Sequence, residues 1–186
     1  MSILYRCFAW DEPARDRDTD GPLWFPRVYQ GEGRHDNPDV YGCLYLSDRP
    51  LSTLVEQLAR FRGQRLLPSL LRRRGLPLAL AGLELADRAE LIDLDDPVVL
   101  GRERLRPSRV ATRDRSTTQP QARLLHARHR KAAGLKWWSI HEASWMNVTV
   151  FDRAVSQLRV RSVRPLTVDD PAVVEAADFF GLRTIA

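Results

Sequence analysis

Four residues whose side chains can do chemistry, Arg34, Tyr41, Tyr45 and Glu56, lie in one stretch of the sequence that begins at Gly31. The planar guanidinium of an arginine suits two-point contact with anionic oxygens. A tyrosine offers an aromatic face and a hydroxyl, and a carboxylate can stabilise positive charge that develops in a transition state. These side chains could serve one site for an anionic ligand, provided that the fold brings them together.

A loop and a strand are predicted to carry the first three of these residues. Glycines and turn-forming residues at 31–38 predict a loop around Arg34. Residues 40–46 are aromatic and aliphatic, which predicts a buried strand. The two-residue period of a strand then puts three side chains on one face, namely Tyr41, Cys43 and Tyr45.

A helix is predicted directly after this strand, because Pro50 suits a first helical turn and apolar residues recur after it at helical spacing. The helical wheel places Glu56 roughly opposite the apolar stripe, beside Ser52, Ala59 and Arg60. A solvated helix face explains that position, because glutamates are commonly exposed. A helix beside a cleft can also turn its polar face toward a ligand, so the wheel leaves both interpretations open.

Two further polar residues interrupt apolar runs. Arg6 lies in the run 2–8, which predicts an opening strand, and an arginine in a strand needs an anionic partner or an exit to solvent. Ser139 lies in the predicted strand 135–140, on the same face as Trp137. From these residues alone, a hydrogen-bonded core hydroxyl is the simpler interpretation of Ser139. No Gly-x-Ser-x-Gly turn surrounds it, so a nucleophilic serine is not expected.

Taken together, these segments resemble the signature of the RES domain family, which is named for an arginine, a glutamate and a serine. The loop at 33–38 reads GRHDNP, where one branch of the family reads GRFDDP. The segments LYLS at 44–47, VE at 55–56 and GLKWWS at 134–139 continue the likeness, which covers most of the chain. The chain departs from the family pattern at four positions, His35, Asn37, Ala133 and Ile140.

The resemblance implies a reaction on NAD⁺ in which the bond between nicotinamide and ribose is broken. Nicotinamide in NAD⁺ is already a cationic leaving group, whereas the ribose becomes oxocarbenium-like in the transition state. Glu56 would be the anion that stabilises this ribosyl cation. Arg34 would contact the pyrophosphate, and Ser139 would orient ribose, carboxamide or Glu56 without acting as a nucleophile.

The same resemblance implies further contacts with the dinucleotide. Tyr45 and Tyr41 would stack on, or hydrogen-bond, the nicotinamide or its ribose. Arg6 would reach a phosphate or a ribose, although a solvent-exposed arginine on an edge strand is an equal alternative. The expected ligand-binding residues are therefore Arg6, Arg34, Tyr41, Tyr45 and Ser139, with NAD⁺ as substrate.

The pattern of elements predicts an α+β fold in a single domain of residues 1–186. Strands and helices do not alternate regularly, and no glycine fingerprint opens a βαβ unit, which disfavours a Rossmann sheet. The family resemblance implies an ADP-ribosyltransferase-like architecture. In that architecture, split antiparallel β-sheets flanked by helices hold NAD in the cleft between them.

The composition predicts a soluble, cytoplasmic protein without a metal site. The apolar runs are too short for a membrane span, and the first residues lack the features of a signal peptide. The two cysteines, Cys7 and Cys43, have no metal-ligand spacing and fit a reducing compartment. Helix capping and turn formation explain the acids at 93–96, so no metal is expected there.

The net charge of +5 raises the hypothesis of nucleic-acid binding. However, the arginine clusters at 72–74 and 102–115 contain no interleaved aromatic residues for stacking. A solvated face is the preferred interpretation, followed by an acidic protein partner or nucleotide phosphates, and direct nucleic-acid binding is not expected. The resemblance implies a toxin whose partner is an Xre-type helix-turn-helix antitoxin, in a complex that could include a toxin homodimer.

Two questions stay open at the level of the sequence. Water as acceptor of the ribosyl group would make the protein an NAD glycohydrolase, phosphate a phosphorylase, and a protein side chain an ADP-ribosyltransferase. A hypothesis of a different class is a non-catalytic module with a RES-like fold that binds nucleotide or nucleic acid through its arginines. Release of nicotinamide from NAD⁺ distinguishes an enzyme from such a module.

Overall fold

The computed structural model describes residues 3–182 of the chain. These residues form two compact units. The first unit consists of Phe25–Leu46 and Leu85–Leu158, and the second consists of the described residues 3–24, 47–84 and 159–182. The predicted opening strand began at Ser2, which lies outside the described residues.

The described residues contain both strands and helices. The strands are β1 (Ile3–Ala9), β2 (Cys43–Ser47), β3 (Arg72–Arg73), β4 (Leu76–Leu85), β5 (Leu91–Asp93), β6 (Gly134–Trp138), β7 (Met146–Phe151) and β8 (Leu158–Pro165). The α-helices are α1 (Pro50–Leu58), α2 (Pro97–Glu103), α3 (Pro107–Val110), α4 (Arg115–Arg128) and α5 (Pro171–Phe179). Short 3₁₀ segments occupy Arg27–Tyr29, Ala59–Phe61, Pro68–Leu71 and Asp152–Gln157. The predicted α+β fold, with mainly antiparallel strands flanked by helices, is confirmed.

In the first unit, β2 lies next to β7, and β6 lies between β7 and β5. Strands β6 and β7 are antiparallel, with Leu135 opposite Thr149, whereas β5 and β6 run parallel, with Ile92 opposite Leu135. Helices α2, α3 and α4 each place apolar side chains in the core of this unit. That core contains Tyr41, Cys43, Ile92, Leu94, Leu100, Val110, Ala122, Leu125, Ala132, Leu135, Trp137 and Phe151.

In the second unit, β4 pairs with β1, β3 and β8. The β1–β4 pairing is antiparallel and continuous, from Ile3 opposite Glu84 to Ala9 opposite Leu78. Helix α1 packs against β1 and α5. The buried side of α1 also ties the strand down, because the backbone N–H of Cys7 donates to the Thr53 hydroxyl over 3.2 Å.

Aspartates cap three of the helices. The sequence predicts two of these helix starts from the Asp-Asp-Pro runs at 95–97 and 169–171. The carboxylates of Asp96, Asp114 and Asp170 each accept a hydrogen bond from the backbone N–H two residues later, at the starts of α2, α4 and α5. Each carboxylate satisfies one backbone donor that has no partner within its helix. The run STTQP at 116–120 predicts a helix start at Ser116, but the N-cap of α4 is Asp114, two residues earlier, and the helix begins at Arg115.

Further boundaries also differ from the sequence prediction. Strand β2 begins at Cys43 rather than at residue 40, because Tyr41 forms an isolated bridge with Asn37 in the preceding turn. The helical run that includes Ala122, Leu124, Leu125 and Ala127 predicts a helix that ends at Gly134. This prediction is wrong, because α4 ends at Arg128 and Gly134 begins β6. A side chain at Gly134 would overlap the Thr149 carbonyl of β7, so the close approach of two strands explains this glycine.

Neither a membrane-spanning helix nor a group of metal-ligand side chains occurs among the described residues. No helix within residues 3–182 is long and apolar enough to cross a membrane. In the same part of the chain, no three histidine, cysteine, aspartate or glutamate side chains come together in a group that could hold a metal ion.

Candidate functional site

The loop that carries Arg34 is organised by one buried carboxylate in the first unit. Asp36 accepts hydrogen bonds from the backbone N–H groups of Gly31 and Gly33, both over 2.8 Å. It also accepts a bond of 2.6 Å from the Tyr45 hydroxyl. Because these three bonds join both glycines and Tyr45 to one side chain, Asp36 holds the loop in a defined shape around Arg34.

Gly33 permits this arrangement because it has no side chain. A Cβ atom at this position would lie 2.5 Å from Asp36 Oδ1 and 2.5 Å from the Tyr45 hydroxyl oxygen. Both distances are too short for any non-bonded contact of carbon with oxygen. The glycine before Arg34 is therefore required by the close approach of the loop to Tyr45, as glycines often are where backbone meets another group.

Three alternate residues contact the backbone N–H and carbonyl groups of His35. The Tyr45 hydroxyl accepts from the His35 backbone N–H over 2.9 Å. The Tyr41 hydroxyl donates to the His35 carbonyl over 2.9 Å, and the Cys43 thiol approaches the same oxygen at 3.4 Å. All three side chains thus lie on one side of the segment, as the two-residue period predicted.

The guanidinium of Arg34 is fixed from several directions. Its Nη1 donates to the Val110 carbonyl over 2.9 Å and also to the Thr112 carbonyl. Its Cζ atom lies 4.7 Å from the centroid of the Trp137 ring, which is within the range of cation–π attraction. The Arg34 carbonyl accepts a bond of 2.6 Å from the Thr118 hydroxyl. The guanidinium is therefore positioned by the protein itself, against an aromatic face.

A buried hydroxyl holds the two rings beneath this arginine. Thr149 Oγ1 accepts from the Trp137 indole N–H over 3.0 Å and lies 2.9 Å from Nδ1 of His35. The His35 ring also meets the Trp137 ring edge-on, with centroids 5.2 Å apart. Burial, with a smaller contribution from Arg34, lowers the pKa of His35 to about 3. The imidazole is therefore neutral near pH 7 and acts as a packing ring at the position where the related motif has phenylalanine.

The two tyrosines predicted to contact ligand differ in exposure. Tyr41 is fully buried, with its ring 4.2 Å from that of His126 and 4.9 Å from that of Phe151 between centroids. Tyr45 is partly exposed, and burial is the main cause that raises its pKa well above the ordinary value. The structure thus gives Tyr41 a packing role and gives the Tyr45 hydroxyl a role in holding the Arg34 loop. Contact of either ring with a ligand stays a prediction.

Ser139 lies directly after β6 rather than within a strand, and it is buried. Its Oγ accepts from the backbone N–H of His141 over 3.1 Å, and its own N–H donates to the Trp145 carbonyl over 2.8 Å. These bonds form a tight turn two residues beyond Trp137. A role for Ser139 toward a ligand stays a prediction.

The remaining predicted residues, Glu56 and Arg6, belong to the second unit. Glu56 is exposed on α1, between the buried Val55 and Leu58. Ser52 was expected beside it on the polar face, but Ser52 is fully buried. The exposed strip of α1 is therefore narrower than the helical wheel indicated, and Glu56 lies on it.

The described hydrogen bonds of Arg6 are with backbone carbonyls of the loop after β1. Its Nη2 donates to the Trp24 carbonyl over 2.8 Å and its Nη1 donates to the Pro22 carbonyl, so backbone oxygens of the loop after β1 satisfy it. Its Cζ atom lies 5.0 Å from the centroid of the Phe8 ring. Burial lowers the pKa of Arg6 to about 9. Arg6 therefore ties the 10–26 loop to β1, and its contact with NAD⁺ stays a prediction.

Sequence reasoning did not identify three residues that position Arg34. Asp36 was interpreted only as a turn residue, although its place two residues after the arginine was visible in the motif. Trp137 was assigned only to a strand face, and Thr149 only to a probable strand. No local signal marks Thr149, because its partners are distant in the sequence.

Comparisons with known proteins bear on this arrangement. A sequence model of the RES domain matches residues 3–169. The fold is similar to one in the crystal structure of the M. tuberculosis MbcT-MbcA toxin-antitoxin complex, with a TM-score of 0.65 and 19% identity. That match covers 98% of this chain and 88% of that chain. A comparison with curated protein sequences finds no match.

Proposed function

This chain belongs to the RES domain family, and from that premise we propose that it consumes NAD⁺ by breaking the bond between nicotinamide and ribose. The observation that carries the proposal is the fixed guanidinium of Arg34, which two backbone carbonyls and the Trp137 ring hold in place. A pre-positioned planar guanidinium recognises a pyrophosphate by paired hydrogen bonds with little loss of side-chain entropy on binding. An anionic dinucleotide is a ligand that suits such a group.

The chemistry requires one well-placed anion. The ribose carbon that loses nicotinamide becomes oxocarbenium-like, so a carboxylate beside it stabilises the transition state more than the ground state. Glu56 is proposed for this role, since it is the glutamate at the family's named position and it is exposed on α1. Ser139 is proposed to orient the ribose, the carboxamide or Glu56 by hydrogen bonding.

The other proposed contacts are assigned by side-chain type. Tyr45 offers a partly exposed ring for stacking while its hydroxyl stays bound to Asp36. Tyr41 and Arg6 complete the set of proposed ligand-binding residues.

The biological role proposed for this reaction is that of a toxin, acting in the cytoplasm against the cell's own NAD⁺. Membership of the RES family supports it, and so does the similarity in fold to a structure described as a toxin-antitoxin complex. The proposed partner is an antitoxin of the Xre helix-turn-helix type, which would block access to the dinucleotide. The acceptor of the ribosyl group is proposed to be water, phosphate or a protein side chain.

The purified chain incubated with NAD⁺ tests the proposal. Free nicotinamide, quantified by liquid chromatography, is expected to accumulate, and parallel reactions with and without inorganic phosphate identify the acceptor. ADP-ribose as product indicates hydrolysis, and ADP-ribose 1″-phosphate indicates phosphorolysis. NAD⁺ that binds but releases no nicotinamide under either condition excludes water and phosphate as acceptors. If adding a cell lysate as a source of protein acceptors also releases none, the result contradicts the enzymatic proposal and indicates a nucleotide-binding module.

A further inference from the structure

The basic charge of this protein is concentrated in one segment of the first unit. Residues 102–131 contain ten basic and only two acidic residues. The net charge of this segment, ten minus two or +8, exceeds the net charge of the whole chain, which is +5. In the rest of the sequence, acidic residues outnumber basic ones. An unbalanced cluster of this kind attracts a polyanion more strongly than charges that are spread evenly.

The buried carboxylate of Glu103 binds two arginines of this segment and holds them side by side. The side chain of Glu103 in α2 is only 4% exposed. Its carboxylate accepts from Arg102 Nε over 3.1 Å and from Arg128 Nη1 over 3.3 Å, and it lies 3.0 Å from Nε2 of His129. Burial raises the pKa of Glu103, but these hydrogen bonds outweigh burial and lower its pKa overall. The anchor is therefore ionised at neutral pH.

The arginines held by Glu103 keep most of their surface in solvent. The side chains of Arg102 and Arg128 are 61% and 51% exposed. Each guanidinium has five N–H donors, and only one donor of each is bound to Glu103. One carboxylate cannot neutralise two guanidinium groups, so net positive charge and oriented donors remain at the surface.

Arg153, which is not bound to Glu103, holds the chain at the C-terminal end of α4 next to the Glu103 cluster. Arg153 donates to the carbonyls of Ala132 and His129 over 2.9 and 2.8 Å, and more weakly to that of His126 over 3.3 Å. These bonds satisfy carbonyl groups at the helix C-terminus, which otherwise lack partners. Arg130 and Lys131, both exposed, are thereby held next to the Glu103 cluster.

We propose that this basic surface, defined by Arg102, Arg104, Arg128, Arg130 and Lys131, binds the phosphodiester backbone of duplex nucleic acid. Guanidinium groups suit phosphate oxygens because their planar geometry matches paired acceptors. Contacts to backbone phosphates need charge and donors but no base readout. The surface offers these two properties at the C-terminal ends of α2 and α4, and none of its five residues belongs to the proposed NAD⁺ site.

The side chains around the surface favour a duplex over two other anionic partners. Single strands bind by stacking on aromatic residues, and residues 102–131 contain no phenylalanine, tyrosine or tryptophan. The absence of aromatic residues therefore argues only against binding of single strands. The prediction that the protein does not bind nucleic acid directly, which rested on this absence, thus does not extend to a duplex. An acidic protein segment would need an apolar or aromatic interface centre. Leu124 is the only exposed large apolar side chain among the described residues of this segment.

Fluorescence anisotropy with a labelled, mixed-sequence DNA duplex tests this proposal. The full chain is expected to bind the duplex with an affinity that falls steeply as salt is raised. Arg130→Gln/Lys131→Gln leaves the Glu103 cluster intact, and it should weaken binding at low salt about tenfold and reduce the log–log salt slope by about two. Arg65→Gln/Arg159→Gln removes the same charge from exposed sites in the second unit, and this control should bind within about twofold of the unaltered chain.

Further arms of the experiment separate the partners. An RNA duplex should also bind, since its backbone carries the same phosphodiesters, whereas a single strand and polyglutamate should bind more weakly. The proposal is overturned by no duplex binding at low salt, by equal losses in the two double variants, or by polyglutamate binding as tightly as the duplex. Because the assay contains no NAD⁺, its result is independent of whether the chain releases nicotinamide.

Discussion

Replacing His35 with phenylalanine should make the protein more resistant to acid. In the folded protein His35 is 3% exposed and its pKa is about 3, because burial disfavours the charged ring. In the unfolded chain its pKa returns to the ordinary value of 6.5 for histidine. Between these two values the unfolded state binds one more proton than the folded state, so stability is full above about pH 6.5 and falls as the pH is lowered.

The size of the effect follows from the two pKa values. Each unit of pH in the linear range changes the free energy of unfolding by about 1.4 kcal/mol. Lowering the pH from about 7.5 to about 4.5 should therefore cost the unaltered chain about 2.5 kcal/mol through His35 alone. Phenylalanine cannot take up a proton, so His35→Phe removes this contribution. The variant loses only the contact of His35 with Thr149, which costs about 1 kcal/mol at neutral pH.

Urea unfolding followed by tryptophan fluorescence measures both proteins across this pH range. Carboxylates titrate in both chains, so the difference between the two stability curves isolates His35. Between the highest and the lowest pH, the difference in the free energy of unfolding between the two proteins should change by about 2.5 kcal/mol in favour of His35→Phe. Parallel curves would refute the reasoning, because they would mean that His35 titrates equally in the folded and unfolded states.

Three further predictions concern the Arg34 loop and the turn after β6. Gly33→Ala should destabilise the fold by about 1–3 kcal/mol through overlap with Asp36 and Tyr45, and it should also weaken NAD⁺ binding. Thermal melts measure the first effect and titration calorimetry the second. The control Gly101→Ala, whose added Cβ meets nothing within 4 Å, should show neither effect. Arg34→Lys keeps the charge but loses the planar donors, so the NAD⁺ dissociation constant of the folded variant should rise about tenfold or more; an unchanged constant would contradict the pyrophosphate assignment. Ser139→Ala should lower turnover or NAD⁺ affinity about tenfold, and unaltered steady-state kinetics would remove Ser139 from the site.

Elements with strong local signals were predictable from the sequence. The sequence predicts a strand over the mainly apolar run 76–85, and β4 has these bounds. Helix α1 begins at Pro50, and α5 begins after the Asp170 cap. Proline at a first turn and an aspartate cap act within a few residues of themselves, so their effect is readable without knowledge of the fold. The loop around Arg34 was recognised for the same reason.

The parts of the candidate site that depend on distant residues were not predictable. The contact of His35 with Thr149 joins positions 114 residues apart, and Arg34 reaches the Val110 carbonyl 76 residues away. Gly134 misled the prediction because a glycine after a helical run usually ends a helix. Its actual role depends on a neighbouring strand that the local sequence does not reveal.

Release of nicotinamide by Glu56→Gln, compared with the unaltered chain, tests the central claim most directly. The substitution keeps size and hydrogen-bonding capacity but removes the charge proposed to stabilise the ribosyl cation, so turnover should fall about 10²-fold or more. Glu175→Gln removes an exposed glutamate from α5 in the same unit and should retain full turnover. Full NAD⁺ turnover by a correctly folded Glu56→Gln protein would contradict the account.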